Sequence, residues 1–224
     1  MLPWAAILSS LHDAHLYSYI FKIWRARRHS QFLLLIRPDS HSSIIDVGGY
    51  PVSWTCYEPV GSQVVCINLH AHNWKPEEAP NHSIRVLIGD GCDLPFDDSS
   101  YDISFSNSVI EHVGSFEKQQ AFAKEIRRIG KQVWVQTPAK ECPIEPHYLA
   151  PLVHYLPLNV QKRLLRWITP WGWIQKPDQK EVDEMVNATR LLTYREMVQL
   201  FPDCHIIVEK LFWLIPKSYI AIRK

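Results

Sequence analysis

The sequence predicts an α/β protein: a mostly parallel seven-stranded sheet with an antiparallel terminal hairpin strand, N-terminal helices and a helical insert. Three observations predict it. Short β-branched runs alternate with crossover segments as far as Pro138. The first of these, Ser43-Ile44-Ile45-Asp46-Val47-Gly48-Gly49-Tyr50, ends in an acid and two glycines. That is the pattern of a buried parallel strand feeding a tight loop whose backbone lets a ligand approach. The last two runs, His205 to Phe212 and Ser218 to Ile222, are joined by so short a connection that they must pair antiparallel.

Each element has its own reason. Residues 3 to about 37 read as helix, because Leu8, Leu11, Ala14 and Tyr17 or Ser18 recur at helical spacing and Pro38 ends the pattern. Arg25, Arg27 and Arg28 on that helix read as a solvated face, the alternative being an anchor for a phosphate or carboxylate. Strands are expected at about 43–48, 62–68, 84–89, 102–107 and 132–136. A helix at about 116–129 would bury Phe122, Ile126 and Ile129, with Gly130 as its stop. From 145 to 200 the pattern is helical, in stretches at about 146–156, 158–168 and 178–200. The last is broken near Thr193, a plausible N-cap. Thr169-Pro170-Trp171-Gly172-Trp173 reads as a linker, and the turn of the terminal hairpin is placed around Pro216.

Composition narrows the function. The 224 residues suit one domain with a full core, and a net charge of +1 gives no field that would gather nucleic acid or an anionic membrane. The five cysteines, Cys56, Cys66, Cys92, Cys142 and Cys204, are odd in number and lack Cys-x-x-Cys spacing. A disulfide framework or a zinc site is therefore not expected, and a reducing cytoplasm is. No basic flank precedes the first short apolar stretch, Asp13 follows it closely, and no signal peptide is read. No apolar run approaches the roughly 20 residues that span a bilayer. His41, His70 and His72 come without a carboxylate pattern and read as solvated loop, so no metal is expected from them.

Further motifs follow the glycine loop in order. Ile88-Gly89-Asp90-Gly91 closes the third strand, Leu94-Pro95-Phe96 makes a turn, and Asn107-Ser108-Val109-Ile110-Glu111-His112 leads from the fourth strand into a helix. Gln136-Thr137-Pro138 ends the fifth. In this order and spacing the chain resembles the S-adenosylmethionine (SAM) dependent methyltransferases of the Rossmann-like class, over about residues 30–224. It is most similar to a type 11-like bacterial subfamily whose loop reads Asp-Val-Gly-Gly-x-Pro-x-x-Trp, in which Trp54 would be the tryptophan. The resemblance implies SAM as cofactor; the chain reads as a single domain over 1–224, with an N-terminal helical cap at 1–38 and a helical substrate-side region at 139–200.

The resemblance also assigns the cofactor residues. Asp46, Gly48, Gly49, Tyr50 and Trp54 belong to the loop that floors the cofactor, and Asp46 would fix that loop or meet the ligand's amino group. Asn68 stands where most of the class places a ribose-binding acid, with Leu69 beside it. Neutral hydrogen bonds there net about 1 kcal/mol against roughly 1.5–3 for charged ones. Asp90, Gly91 and Cys92 would line the adenine, and Asn107 and Ser108 the methionine half.

Methyl transfer is an in-line displacement in which alignment supplies about 7–11 kcal/mol, more than the roughly 0.5–2 of an aromatic over the cation. A hydroxyl or acid acceptor must also lose its proton, which calls for a base. Pro143-Ile144-Glu145-Pro146-His147-Tyr148 follows the fifth strand, and the topology puts it over the sheet's carboxyl edge. Glu145 and His147 could act as a base pair or grip a substrate amine. Alternatively Glu145 caps a helix and His147 is a packed surface residue. His112 could be a second base or a structural part of its turn.

The aromatic insert, with Tyr148, Tyr155, Trp167, Trp171 and Trp173, suits a small or amphipathic acceptor such as a natural product, glycan intermediate or lipid-linked group. It suits equally a core of its own. Ser-Asn-Ser-Val after the fourth strand is unlike the Asn/Asp-Pro-Pro-aromatic run of nucleobase amine methylation. Two other readings stay open: chemistry on the aminocarboxypropyl arm of SAM, and a non-catalytic SAM-binding module. A nicotinamide enzyme is disfavoured, because no Gly-x-Gly-x-x-Gly opens a long helix after the first strand. Tyr17, Tyr19 and Phe21 are candidates for a lid over the cofactor.

Overall fold

The computed structural model describes residues 15–70, 74–145, 147–148 and 150–224, with side chains from residue 23 onward and residue 76 excepted. The expected helix over 3–14, the lid side chains of Tyr17, Tyr19 and Phe21, and His72 lie outside what is described. Helix α1 spans His15–Ile36. Strands β1 (Ser43–Val47), β2 (Gln63–Asn68), β3 (Ile84–Ile88), β4 (Tyr101–Asn107) and β5 (Gly130–Pro138) follow, with short helix α2 (Val52–Thr55) after β1 and α3 (Phe116–Ile129) before β5. Beyond β5 come a two-residue ribbon, β6 (Ile144–Glu145) and β7 (Ala150–Pro151), and helices α4 (Leu158–Ile168), α5 (Pro170–Gln175), α6 (Gln179–Ala188) and α7 (Tyr194–Leu200). The hairpin β8 (His205–Leu211) and β9 (Ile215–Arg223) closes the chain.

The main sheet has the order β3-β2-β1-β4-β5-β9-β8. Strands β1 to β5 pair parallel, and β9 runs antiparallel to both β5 and β8. The order reverses between β1 and β4, so the crevice beyond their carboxyl ends is where such a sheet takes a ligand.

Both faces of the sheet are covered, which is why its strands are continuous apolar runs. Ile45, Val47, Val65, Ile67, Val133 and Val135 pack under α3 and α7 through Phe122, Ile126, Ile129, Met197 and Leu200. On the other face Ile44, Val64, Ile103, Trp134 and Ile220 meet Phe32 and Ile36 of α1 and Trp54 of α2. Phe122 is fully buried and stacked under Gly91, whose hypothetical Cβ would stand 2.7 Å from its ring. Truncating it to Ala should cost about 3–5 kcal/mol in chemical denaturation. The cavity would open directly beneath the loop after β3.

The helical insert has a core of its own: Tyr148, Val153, Leu165, Trp171, Val182 and Met185 bury one another. Trp167, Trp173 and Tyr155 remain exposed. The two readings of its aromatics therefore apply to different residues.

Several expectations are corrected. Among the described residues of 146–156 there is no α-helix, only a 3-10 turn at Val153–Tyr155. Glu145 pairs with Ala150, Leu152 takes a left-handed φ of 61°, and its N–H donates to Pro143 O at 2.7 Å. Prolines at 143, 146, 151 and 157 deny this stretch the donors a helix needs. Thr169 to Trp173 is no linker but the start of α5, capped by the Thr169 hydroxyl accepting from Gly172 N, with Pro170 in the first turn. The 178–200 helix is interrupted over residues 189–193; Asp178 and Thr193 each open a capping box, so the N-cap expected at Thr193 is present.

Gly130 does not end α3 through a left-handed turn. Its φ of −99° and ψ of 137° are extended, and the chain passes straight into β5. A Cβ at Gly130 would lie 2.4 Å from the Ser104 hydroxyl, so close packing is what demands glycine there. Pro216 lies within β9, opposite Lys210 at a register irregularity that spares its missing donor. The hairpin turn itself is Phe212-Trp213-Leu214. Among the described residues no helix is long and apolar enough to cross a membrane.

Candidate functional site

The loop after β1 is built around a buried carboxylate. Asp46 is 1% exposed, its Oδ2 accepts from the Trp54 indole Nε1 at 2.8 Å, and its Oδ1 has no partner. Burial, only partly offset by the Trp54 bond, raises its pKa to about 7. Gly49 lies directly over that carboxylate: a Cβ there would stand 1.7 Å from Oδ2. Gly48 has a φ of 83°, and its Cβ would stand 2.4 Å from Val109 Cγ1. Both glycines are thus required, one by Asp46 and the other by backbone conformation and by the chain leaving β4. Trp54 is buried among Phe32 and Phe105, at ring distances of 6.1 and 5.1 Å, and its indole reaches the loop through Asp46.

The other expected cofactor residues surround the same carboxyl edge. The Asn68 amide donates to Gly49 O at 2.5 Å, bracing the loop from the end of β2. Leu69 is exposed beside it, and Tyr50 is half-buried. Asp90 accepts from Cys92 N at 2.9 Å and is itself exposed; burial pushes the Cys92 thiol up to about 11. Ser108 holds a left-handed φ of 55°, with its hydroxyl donating to Gln136 Oε1 at 3.0 Å. A non-glycine residue in that region is the kind of local strain that clusters at ligand sites.

Asn107 Oδ1 accepts from the Arg28 guanidinium at 2.9 Å. Arg28 also pairs with Glu209 at 3.5 Å, both side chains being largely buried. Of the three arginines on α1, Arg28 therefore departs from the expected solvated face. Its Nε is buried without a partner, and burial lowers its pKa despite the Glu209 carboxylate.

On the far side of Ser108 the structure brings the three expected catalytic residues together and adds a fourth. His147 Nδ1 meets Glu145 Oε1 at 2.5 Å, while Glu145 Oε2 accepts from Tyr148 N at 2.7 Å. His147 Nε2 faces His112 Nε2 at 3.0 Å, with the rings near perpendicular at 86°. Glu111, fully buried, accepts from the Thr137 hydroxyl through Oε2 at 2.9 Å. Its Oε1 has no partner. Glu145 is 1% exposed and has no α-helix directly after it to cap, while the His147 side chain is 15% exposed.

Burial would pull His147 down, but the adjoining carboxylates of Glu145 and then Glu111 outweigh it and hold the ring above its ordinary pKa. Burial and the His147 charge depress His112 to about 3. Desolvation raises Glu111. The expected loop histidines His41 and His70 are exposed and stand apart from this cluster.

Two surface depressions complete the picture. One of about 140 Å³ adjoins the cluster and is lined by Lys140, Glu145, Tyr148, Gln161 and Arg190, among others. Another of about 270 Å³, lined by Asp39, Ser42, Asp102 and Lys131, lies at the amino ends of β1 and β4, away from the crevice.

With this geometry in view, the likenesses to known proteins have a place. Residues 46–132, from the buried acid of β1 into β5, match the family model described as a methyltransferase domain. No curated protein matches the chain. An Aquifex aeolicus SAM-dependent methyltransferase superposes with a TM-score of 0.51 at 14% identity, over 86% of this chain and 88% of that one. The Synechocystis magnesium protoporphyrin IX methyltransferase, solved with S-adenosylhomocysteine, gives 0.54 at 12% identity over 97% and 87%. A Rhodobacter sphaeroides protein named as a Zn-dependent alcohol dehydrogenase gives 0.55 at 12% identity over 88% of each chain.

At these identities the superpositions carry the fold alone. The sequence match over residues 46–132, the glycine loop and the antiparallel terminal strand are consistent with a class I, Rossmann-like methyltransferase domain, the kind of domain that takes SAM as its cofactor.

Proposed function

We propose that the protein transfers the methyl group of SAM to a small-molecule or glycan- or lipid-linked acceptor, which the 139–200 region holds against the cofactor. The observation that carries this reading is the buried Glu145–His147–His112–Glu111 cluster at the carboxyl ends of β4 and β5. Val109, which packs on Gly48, links that cluster to the cofactor loop. A polar group set inside the protein beside a sulfonium site has a task there, because burying it unpaired is costly.

The nucleoside is proposed to lie over Gly48 and Gly49, with its ribose toward Asn68 and its adenine toward Asp90, Gly91 and Cys92. Asp46 Oδ1 and Asn107 face the methionine end, and Arg28 supplies a positive charge for its carboxylate. The acceptor lone pair attacks the methyl carbon as the carbon–sulfur bond breaks. The electron pair returns to sulfur, giving neutral S-adenosylhomocysteine, and the acceptor proton passes to the cluster. Exposed Trp167 and Trp173 with Tyr155 support an amphipathic acceptor over a charged polymer, as does the net charge of +1.

The test is mass spectrometry of the nucleoside product after incubation with SAM and cell extracts. S-adenosylhomocysteine is the expected product. Methylthioadenosine would instead assign chemistry on the aminocarboxypropyl arm, and absence of turnover with intact SAM binding a non-catalytic module. His147→Ala should lower turnover by roughly 10²–10⁴-fold, the usual share of proton transfer, with SAM affinity within a factor of a few of the parent. Full activity in that variant would remove the cluster from the reaction.

A further inference from the structure

The two imidazoles of the cluster meet edge to face through their Nε2 atoms, across a gap that a shared proton or a cation fills. His147 Nδ1 lies 2.5 Å from a Glu145 carboxylate oxygen, so Nδ1 carries a proton and Nε2 is left to donate or to ligate. His112 has a backbone hydrogen bond to Ala188 that favours the protonated ring, as a carbonyl acceptor does. With Nε2 turned to His147, the nitrogen that reaches Ala188 is Nδ1. Each ring is therefore held by its Nδ1 partner, and the two Nε2 atoms are turned to one another at 3.0 Å, able to share a proton or to bind one cation.

A carboxylate oxygen of Glu111 lies within 4.8 Å of both nitrogens. This carboxylate is fully buried, and its Oε1 has no partner. Once the proton between the imidazoles is displaced, the three residues can each offer one ligand atom to a single cation.

From this arrangement we infer that Glu111, His112 and His147 hold a divalent first-row transition cation, zinc being the best match, in a three-ligand site with a position left open toward the acceptor. This rests on the acceptor-side reading above and specifies what occupies it. The metrics agree. With Zn–N bonds of about 2.0–2.1 Å, two nitrogens on a tetrahedral ion stand roughly 3.3 Å apart, so the 3.0 Å separation needs only a few tenths of an ångström of adjustment. Two imidazoles and one carboxylate are the donors of open catalytic zinc sites and disfavour magnesium and calcium, which take oxygen. The contact from Glu145 to His147 Nδ1 is the outer carboxylate–histidine pairing that orients such ligands, and Thr137 does the same for Glu111. A cation there would polarise an acceptor hydroxyl and favour loss of its proton.

The experiment uses the full chain, stripped with chelator and titrated with zinc or cobalt(II) alone. One equivalent of zinc is expected per chain, with a rise in melting temperature. Cobalt should develop the visible absorption of a low-coordinate site. Glu145→Gln should weaken zinc affinity by roughly 10–100-fold, and His147→Ala or Glu111→Gln by more, while His70→Ala leaves it unchanged. If the wild-type chain takes up neither metal in stoichiometric amount, or if His147→Ala retains uptake, a shared proton fills the gap and the inference falls. A preference for magnesium over zinc and cobalt overturns it equally. SAM affinity, measured by calorimetry on the stripped chain, reports separately on the cofactor reading.

Discussion

Replacing Gly48 with Val is expected to eliminate measurable SAM binding while leaving a folded but weakened protein. The residue holds a φ of 83°, and the branched Cβ would have to occupy space 2.4 and 2.6 Å from the two methyl carbons of Val109. A strained conformation of that kind costs on the order of 1–3 kcal/mol. Overpacking adds another ~1–3. The sum is large against a typical stability of about 5–15 kcal/mol but does not exceed it. Binding suffers more, because the new side chain stands on the loop where the nucleoside must approach and pushes Val109 toward Glu111 and His112. Calorimetry with SAM and circular dichroism separate the two effects. Gly48→Ala combined with Val109→Ala removes the two closest contacts, leaves a Cβ–Cβ distance of 3.0 Å and keeps the backbone strain, so it should recover part of the affinity. Normal SAM affinity in Gly48→Val would move the cofactor elsewhere.

The inner strands were legible because β1, β2 and β5 are buried on both faces. Ile44-Ile45 and Val64-Val65 need no tertiary information to read as interior β-structure, and α3 announced itself through the spacing of Phe122, Ile126 and Ile129. The segment after β5 was less so. There the prolines at 143, 146, 151 and 157 argue against the apolar periodicity, and the structure resolves the conflict in favour of the prolines. Thr169-Pro170 carries the signature of a helix start, but the helix it opens is only 6 residues long, too short for an apolar periodicity to show.

The site divides in the same way. Asp46, the glycine pair and the placing of Glu145 near His147 follow from local sequence and topology. Arg28 did not have to be missed: it precedes Phe32 and Ile36 by four and eight residues, which puts it on the buried stripe of α1 and not on the outer face. The meeting of Glu111 with His147 had no local signal. It depends on the loop between β5 and β7 folding back over the turn after β4, and on Thr137 reaching across from β5 to fix the carboxylate. The brace from Asn68 to the Gly49 carbonyl is of the same kind, a contact made only once β2 and the glycine loop are neighbours.

The pH dependence of cofactor binding should report directly on Asp46. In the unliganded protein burial raises this carboxyl from its ordinary 3.8 to about 7, because Trp54 supplies a single hydrogen bond and Oδ1 none. A carboxyl whose pKa is higher folded than unfolded stabilises the fold below about pH 4, and that contribution is lost as pH rises toward 7. The ammonium of SAM reverses the preference, since it favours the ionised form. Binding then releases a proton, and affinity should climb by up to tenfold per pH unit between about 5 and 7. It should level off above that and decline as the ligand's own amino group loses its proton, near 7.7–8.0 for an ordinary α-amine. Asp46→Asn keeps the shape and a partner for Trp54 but abolishes the charge. Its affinity should be flat across the acid limb and at pH 7 lie about ten- to a hundredfold below the parent, the range of a charge-assisted hydrogen bond of roughly 1.5–3 kcal/mol. Calorimetry over this range in buffers of different ionisation enthalpy counts the proton released. An acid limb that persists unchanged in Asp46→Asn would assign the titration to another group and take Asp46 out of contact with the ligand.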